Sequence, residues 1–177
     1  MRSDARDNRE RVLAAARVEF GAQGPRASLN KIAQRAGVGP GTLYRHFPTL
    51  QSLLVAIVAD DVAALCAEGR RLLSASDASA AFVTWLHAVA VHATAMGGLV
   101  ASEMAAVAAD PALSDVHSAI RETGAELLER VASPPGTIDD LLALAAAVAW
   151  ASPGDPERLD RLFALAFEAR ESPQPRR

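Results

Sequence analysis

The sequence predicts an all-α protein of nine helices, a three-helix head followed by a helical body. Three observations predict it. Apolar residues recur at three- and four-residue spacing, and no stretch sustains the alternation of a half-buried strand. Half of the residues are apolar but only 5% are aromatic, and Ala, Leu and Val lead a composition suited to close helix packing. Gly, Pro and small polar residues fall where helices begin and end.

The first helix is expected from about Asp7 to Ala22, with Val12, Leu13, Ala16 and Phe20 on one face and Arg9, Arg11 and Arg17 off it. Gly24 and Pro25 stop it. Ser28 is the N-cap of the second helix, whose apolar face is Leu29, Ile32, Ala33 and Ala36. Gly37 can take the left-handed conformation of a sharp turn. Pro40 suits the first position of a short third helix through Thr42–Phe47, where its missing N–H costs nothing. Pro48 ends that helix.

Thr49 caps a long fourth helix to about Leu73, with Leu53, Leu54, Ile57, Val58, Val62 and Leu65 as its stripe. The polar run from Ser74 to Ser79 reads as an internal linker. The fifth helix spans about Ala78–Ala95, Gly97–Gly98 bends or breaks it, and a sixth runs to Ala109. The seventh is read from Ala112 to Val131, with Val116, Ile120, Leu127 and Leu128 inward. Thr137 caps the eighth, which carries Asp139 and Asp140 where the helix dipole favours anions. Asp155–Pro156–Glu157 opens the ninth, and the tail from Ser172 is expected to fray.

A single cysteine, Cys66, rules out a disulfide within the chain and fits a reducing compartment. The N-terminal residues lack the apolar run of a secretory signal. Localisation is therefore read as cytoplasmic. Ala78–Ser102 carries no Asp, Glu, Lys or Arg and is long enough to span a bilayer. It also holds His87, His92, Thr84, Thr94 and a glycine pair, and reads better as a helix buried on most sides; no membrane partner is expected.

Charge is unevenly placed. Residues 1–50 hold nine Lys/Arg against four Asp/Glu, whereas the whole chain has a net charge of −3. A basic head on an acidic body points to a polyanionic partner for the head. Two helices joined by a tight glycine turn have helix-turn-helix geometry, the second entering the major groove of double-stranded DNA. On the third helix Leu43 and Phe47 share an inward face, and the other face presents Thr42, Tyr44, Arg45 and His46, all hydrogen-bond donors. Pro40, Gly41 and Gly39 are small enough to let the helix N-terminus approach phosphate.

The run SLNKIAQRAGVGPGTLYRHFPTLQSLL, residues 28–54, resembles the N-terminal signature of TetR/AcrR transcriptional regulators. The resemblance is close over residues 8–58. The remaining 120 or so residues are similar to the family in helix count and layout, and more weakly to actinobacterial-type ligand-binding domains with a GL-rich sixth helix. It implies a helix-turn-helix domain at 1–48 and a ligand-binding and dimerisation domain at 49–177, connected by the fourth helix. It implies a homodimer on a palindromic operator, and repression relieved by a small apolar effector of unknown identity. Two departures stand out: Gly39 replaces a Ser/Thr-type cap, and Leu50 replaces a cation that would contact phosphate.

The candidate DNA-binding residues are Ser28, Lys31, Pro40, Gly41, Thr42, Tyr44, Arg45 and His46. The competing readings are a core aromatic for Tyr44, a solvated histidine for His46, a simple cap for Ser28 and a solvated face for Lys31 and Arg35. Candidate ligand-binding residues are Trp85, His92, Met96 and Met104, with plain core filling as the alternative. The surfaces of the eighth and ninth helices (Leu141, Leu144, Ala145, Val148, Leu159, Leu162, Phe163, Phe167) are expected to form the dimer interface. No metal or cofactor is expected, since His87 and His92 are five apart and no Cys/His pair has metal spacing. An enzyme would need chemistry that is not evident, as there is no phosphate loop, GxSxG or HExxH. A helical adaptor would not account for the donor-rich third helix.

Overall fold

The computed structural model describes residues 2–100 and 111–168 of the chain. Among the described residues there are eight α-helices and no strand: α1 (Arg2–Gln23), α2 (Leu29–Ala36), α3 (Pro40–His46), α4 (Leu50–Leu72), α5 (Ala78–Val100), α6 (Pro111–Glu129), α7 (Ile138–Trp150) and α8 (Pro156–Phe163). A 3-10 turn at Gly24–Arg26 follows α1, and a π-helical turn at Ala164–Glu168 closes the described chain. Among the described residues, 2–63 with 98–100 and 111–116 form one compact unit, and 64–97 with 117–168 form the other; α4 begins in the first and ends in the second.

Local chemistry sets the helix ends. α1 starts at Arg2, ahead of the expected Asp7, and Arg6 and Glu10, a turn apart, pair at 3.1 Å along the extension. α2 ends at Gly37, whose φ of 65° lets its N–H turn back to the carbonyls of Ala33 and Gln34. The Ser28 carbonyl accepts from Ile32 N at 2.9 Å, but its hydroxyl makes no capping bond, so the expected side-chain cap is a backbone cap only. Thr49 does cap α4. Ser52 N–H donates to its Oγ1 at 3.0 Å, and Thr49 N–H donates to Ser52 Oγ at 3.2 Å. Thr137 and Asp140 make the same reciprocal box at α7, and Asp155 accepts from Arg158 N at 2.9 Å to start α8.

α5 runs through Gly97–Gly98 to Val100 without the expected interruption. Glycine costs a helix about 1 kcal/mol relative to alanine but does not forbid one. The predicted sixth helix falls mainly on residues 101–110, outside the described residues. Nor is α5 buried on most sides. It buries one face, through Ala81, Phe82, Trp85, Leu86, Val89 and Ala90, and leaves Val91 exposed. Helix α4 and residues 78–95 of α5 are apolar and long enough to cross a membrane by length and composition. Each buries a defined face within the protein, and α4 carries two aspartates in mid-helix, both engaged by arginine.

In the first unit Val12, Leu13, Ala16 and Phe20 of α1, Ile32, Ala33 and Ala36 of α2, Leu43 of α3, Phe47 at its end, and Leu53, Leu54 and Ile57 of α4 are all buried. Arg17 lies beside this core, where it bonds Asp60 at 2.9 Å and also Asp61, tying α1 to α4.

In the second unit Trp85 is fully buried, and its indole N–H donates to the Leu65 carbonyl at 3.1 Å. Two glycines make room for it. A Cβ on Gly124 would lie 2.8 Å from the Trp85 ring and 2.5 Å from Ile138 Cδ1, and a Cβ on Gly69 would lie 2.9 Å from Trp85 Nε1. Leu141, Ala145, Val148, Leu159 and Phe163 of α7 and α8 belong to the same buried core as Trp85 and Leu86. These five residues were expected at a dimer interface and are interior instead. The large apolar side chains that α7 and the closing turn leave outside are Leu144, Trp150 and Leu165.

Candidate nucleic-acid interface

The head presents α3 through one fixed geometry. Leu43 and Phe47 are buried, which turns the opposite side of the helix outward. Tyr44, Arg45 and His46 are exposed, and Thr42 is half-buried. Pro40 takes the first turn and Gly39 the N-cap, and Gly39, Pro40 and Gly41 are all exposed, so nothing bulky covers that helix end. The Tyr44 hydroxyl donates to Asn30 Oδ1 of α2 at 3.3 Å. This pair links the two helices on their outer side, and Asn30 was not among the residues singled out from the sequence.

His46 sits at the other edge of α3. With Phe47, Thr42 and Val38 it borders a narrow cleft against Asn8, Arg9 and Val12 of α1, and its ring stands 6.4 Å from that of Phe47. Ser28 is half-buried at the start of α2. Lys31 is exposed but lies toward α1, with Nζ 4.0 Å from Glu19 Oε1. The burial of Glu19 was also missed, because a lone acid between Val18 and Phe20 carries no periodic signal.

The candidate ligand residues are not brought together. Trp85 is a core residue with its N–H bonded, and His92 is half-buried on α5. The Met96 side chain and the whole of Met104 lie outside the described residues. Among the described residues no group of three or more His, Cys, Asp or Glu could hold a metal ion.

Comparison with known proteins adds independent findings. Residues 12–57 match the family model of bacterial regulatory proteins of the TetR family, and residues 77–168 match that of the C-terminal domain of SbtR-like transcriptional regulators. The structure of a TetR transcriptional regulator from Streptomyces coelicolor aligns at 31% identity with a TM-score of 0.74, covering 90% of this chain and 96% of that one. A TetR regulatory protein from Mycobacterium vanbaalenii aligns at 30% identity and TM-score 0.71, over 94% of this chain and 96% of that one. The TetR-like regulator LfrR of Mycobacterium smegmatis, solved with proflavine, aligns at 25% identity and TM-score 0.67, over 96% and 99%. A curated HTH-type transcriptional regulator of Staphylococcus aureus is 40% identical over 63 residues, 35% of this chain and 34% of that protein. The match thus spans about a third of that relative's length.

Proposed function

Since the chain belongs to the TetR family and is a DNA-binding transcriptional regulator, we propose that it is a cytoplasmic repressor that binds a palindromic operator as a homodimer and leaves it when a small apolar effector binds. The observation that carries this reading is the outward face of α3. Tyr44, Arg45 and His46 are exposed donors on a helix anchored by Leu43 and Phe47, beside a helix N-terminus free of bulky side chains. We assign phosphate and base-edge contacts to Ser28, Pro40, Gly41, Thr42, Tyr44, Arg45 and His46 within a head at residues 1–48. Residues 49–177 form the effector-binding and dimerising part, with α4 connecting the two.

One chain supplies one recognition helix, and two chains supply a pair spaced by whole turns of DNA. The α7–α8 region is assigned the dimer contact. Trp150 is 88% exposed there, and an indole in water is a natural candidate for burial by a second copy. The effector is assigned to the part of α5 that carries His92 and Met96. Support comes from the structure of the TetR-like regulator LfrR, which was solved in complex with proflavine. The mechanism is a population shift, in which the effector prefers a conformation whose two heads do not match adjacent grooves.

The test is a gel shift on genomic fragments recovered with the purified protein, repeated with a panel of hydrophobic cations and neutral metabolites. A symmetric bound sequence released by one panel member supports the reading. Retention of every fragment in the presence of a ligand that demonstrably binds the protein contradicts the release mechanism.

A further inference from the structure

The DNA-binding head buries an acidic side chain on its first helix. The side chain of Glu19 on α1 is 7% exposed, and its Oε1 has no hydrogen-bond donor. It forms the floor of a groove walled by Ala22 and Gln23 of α1 and by Lys31, Gln34 and Arg35 of α2. A carboxylate removed from water is costly unless a cation stays close. Among the described residues its ion pair is with Lys31, whose ammonium stands 4.0 Å from Oε1. That is too long for a hydrogen bond but well within Coulombic range at a partly buried site.

Helical geometry sets the direction of this lysine. Asn30 accepts from Tyr44 and so lies on the α3 side of α2. Lys31 follows it by one residue, a rotation of about 100°, which carries it round to the α1 side. Lys31 is also the chain's single lysine, because every other basic residue is arginine.

We propose that Glu19 is a positioning residue that withholds Lys31 from DNA. The ammonium serves as counter-ion to the buried carboxylate, and the head therefore neutralises one phosphate fewer than its count of exposed cations indicates. The proposal rests on the reading of α2 and α3 as the DNA-facing pair. If phosphate took the ammonium, the buried Oε1 of Glu19 would lose the cation that pairs with it among the described residues, and the new contact would have to offset that loss.

The experiment measures the salt dependence of binding to a random-sequence DNA duplex, since phosphate contacts are independent of sequence. Glu19→Gln keeps the shape and removes the charge. The slope of log affinity against log salt becomes steeper by about 0.9 as Lys31 is released to phosphate. In Glu19→Gln/Lys31→Ala the slope returns to that of the parent. A role for Glu19 confined to holding α1 against α2 would lower affinity at every salt concentration with the slope unchanged, and that result overturns the proposal. So does a steeper slope that survives in the double variant. A measurement on the unaltered protein needs no variant to fold: with 15N-lysine labelling, the single Nζ resonance stays in place as duplex is added, and a shift to a phosphate-bound position overturns the proposal. If the parent shows no salt-dependent binding to duplex, the DNA-binding reading itself fails, and this is seen before any variant is compared.

Discussion

The guanidinium of Arg17 on α1 donates to the carboxylate of Asp60 on α4 at 2.9 Å and also engages Asp61, joining helices whose contact residues lie 43 and 44 positions apart. Arg9 approaches the same Asp60 at 3.4 Å. The hydrogen bond from Arg17 holds the Asp60 carboxyl below the ordinary carboxylate range. The cluster secures α1 to α4 in the last turns before α4 leaves the first compact unit at Ala63.

A carboxyl whose folded pKa is depressed contributes stability above its unfolded pKa and loses that contribution as the pH falls. Arg17→Ala is expected to lower stability at pH 7 by about 1 kcal/mol, a modest figure because Arg17 and Asp60 are each about a third exposed or more and Asp61 is 27% exposed. The gap between parent and variant closes as the pH is taken from about 4 downward. Urea melts at several pH values check this; a gap that stays constant into acid would show that the ion pair is not its source.

Trp85 depends on the absence of side chains at Gly69 and Gly124. Gly124→Ala places a methyl 2.8 Å from the indole ring, too close without movement of α5 or α6. The expected cost is about 1–3 kcal/mol. Thermal melting reads it, and an unchanged midpoint would mean that the core has slack around Trp85.

Tyr44→Phe and His46→Ala are expected to weaken DNA binding by about 1–3 kcal/mol each while the protein stays folded. Both changes leave the buried anchors Leu43 and Phe47 themselves unaltered, although His46→Ala removes the ring that stands 6.4 Å from that of Phe47. Tyr44→Phe also frees Asn30 from its hydrogen bond, so two outward side chains respond to one substitution. A titration in which both variants bind as the parent does would remove this face of α3 from the interface.

Trp150→Glu is expected to convert a dimer to a monomer in light scattering, because a charge replaces an indole that is 88% exposed in the single chain. An intact dimer would move the contact away from the end of α7.

The head was legible in the sequence because its signals are local. Leu43 and Phe47 four apart, Gly37 at a left-handed turn and Pro40 in a first turn each act within a few residues. The fold class and the family likeness followed from the same local patterns. What escaped depends on distant partners. No periodicity announces that Arg17 will meet Asp60, or that Gly69 and Gly124 will come together around Trp85. The apolar faces of α7 and α8 were expected to exceed what one small body can bury and so to form a dimer interface, but a sequence pattern does not say what covers such faces. Leu141, Val148 and Phe163 are covered by their own chain, and Trp150 is not.

The central claim is that this head, in pairs, reads a symmetric DNA sequence. Selection of genomic fragments by the purified protein, followed by footprinting of the enriched fragment, tests it most directly. The expected result is one protected region with two-fold symmetric half-sites whose centres lie a whole number of helical turns apart, lost in the Tyr44→Phe/His46→Ala double variant. Enrichment of no fragment over random duplex, or protection of a single asymmetric half-site, would contradict it.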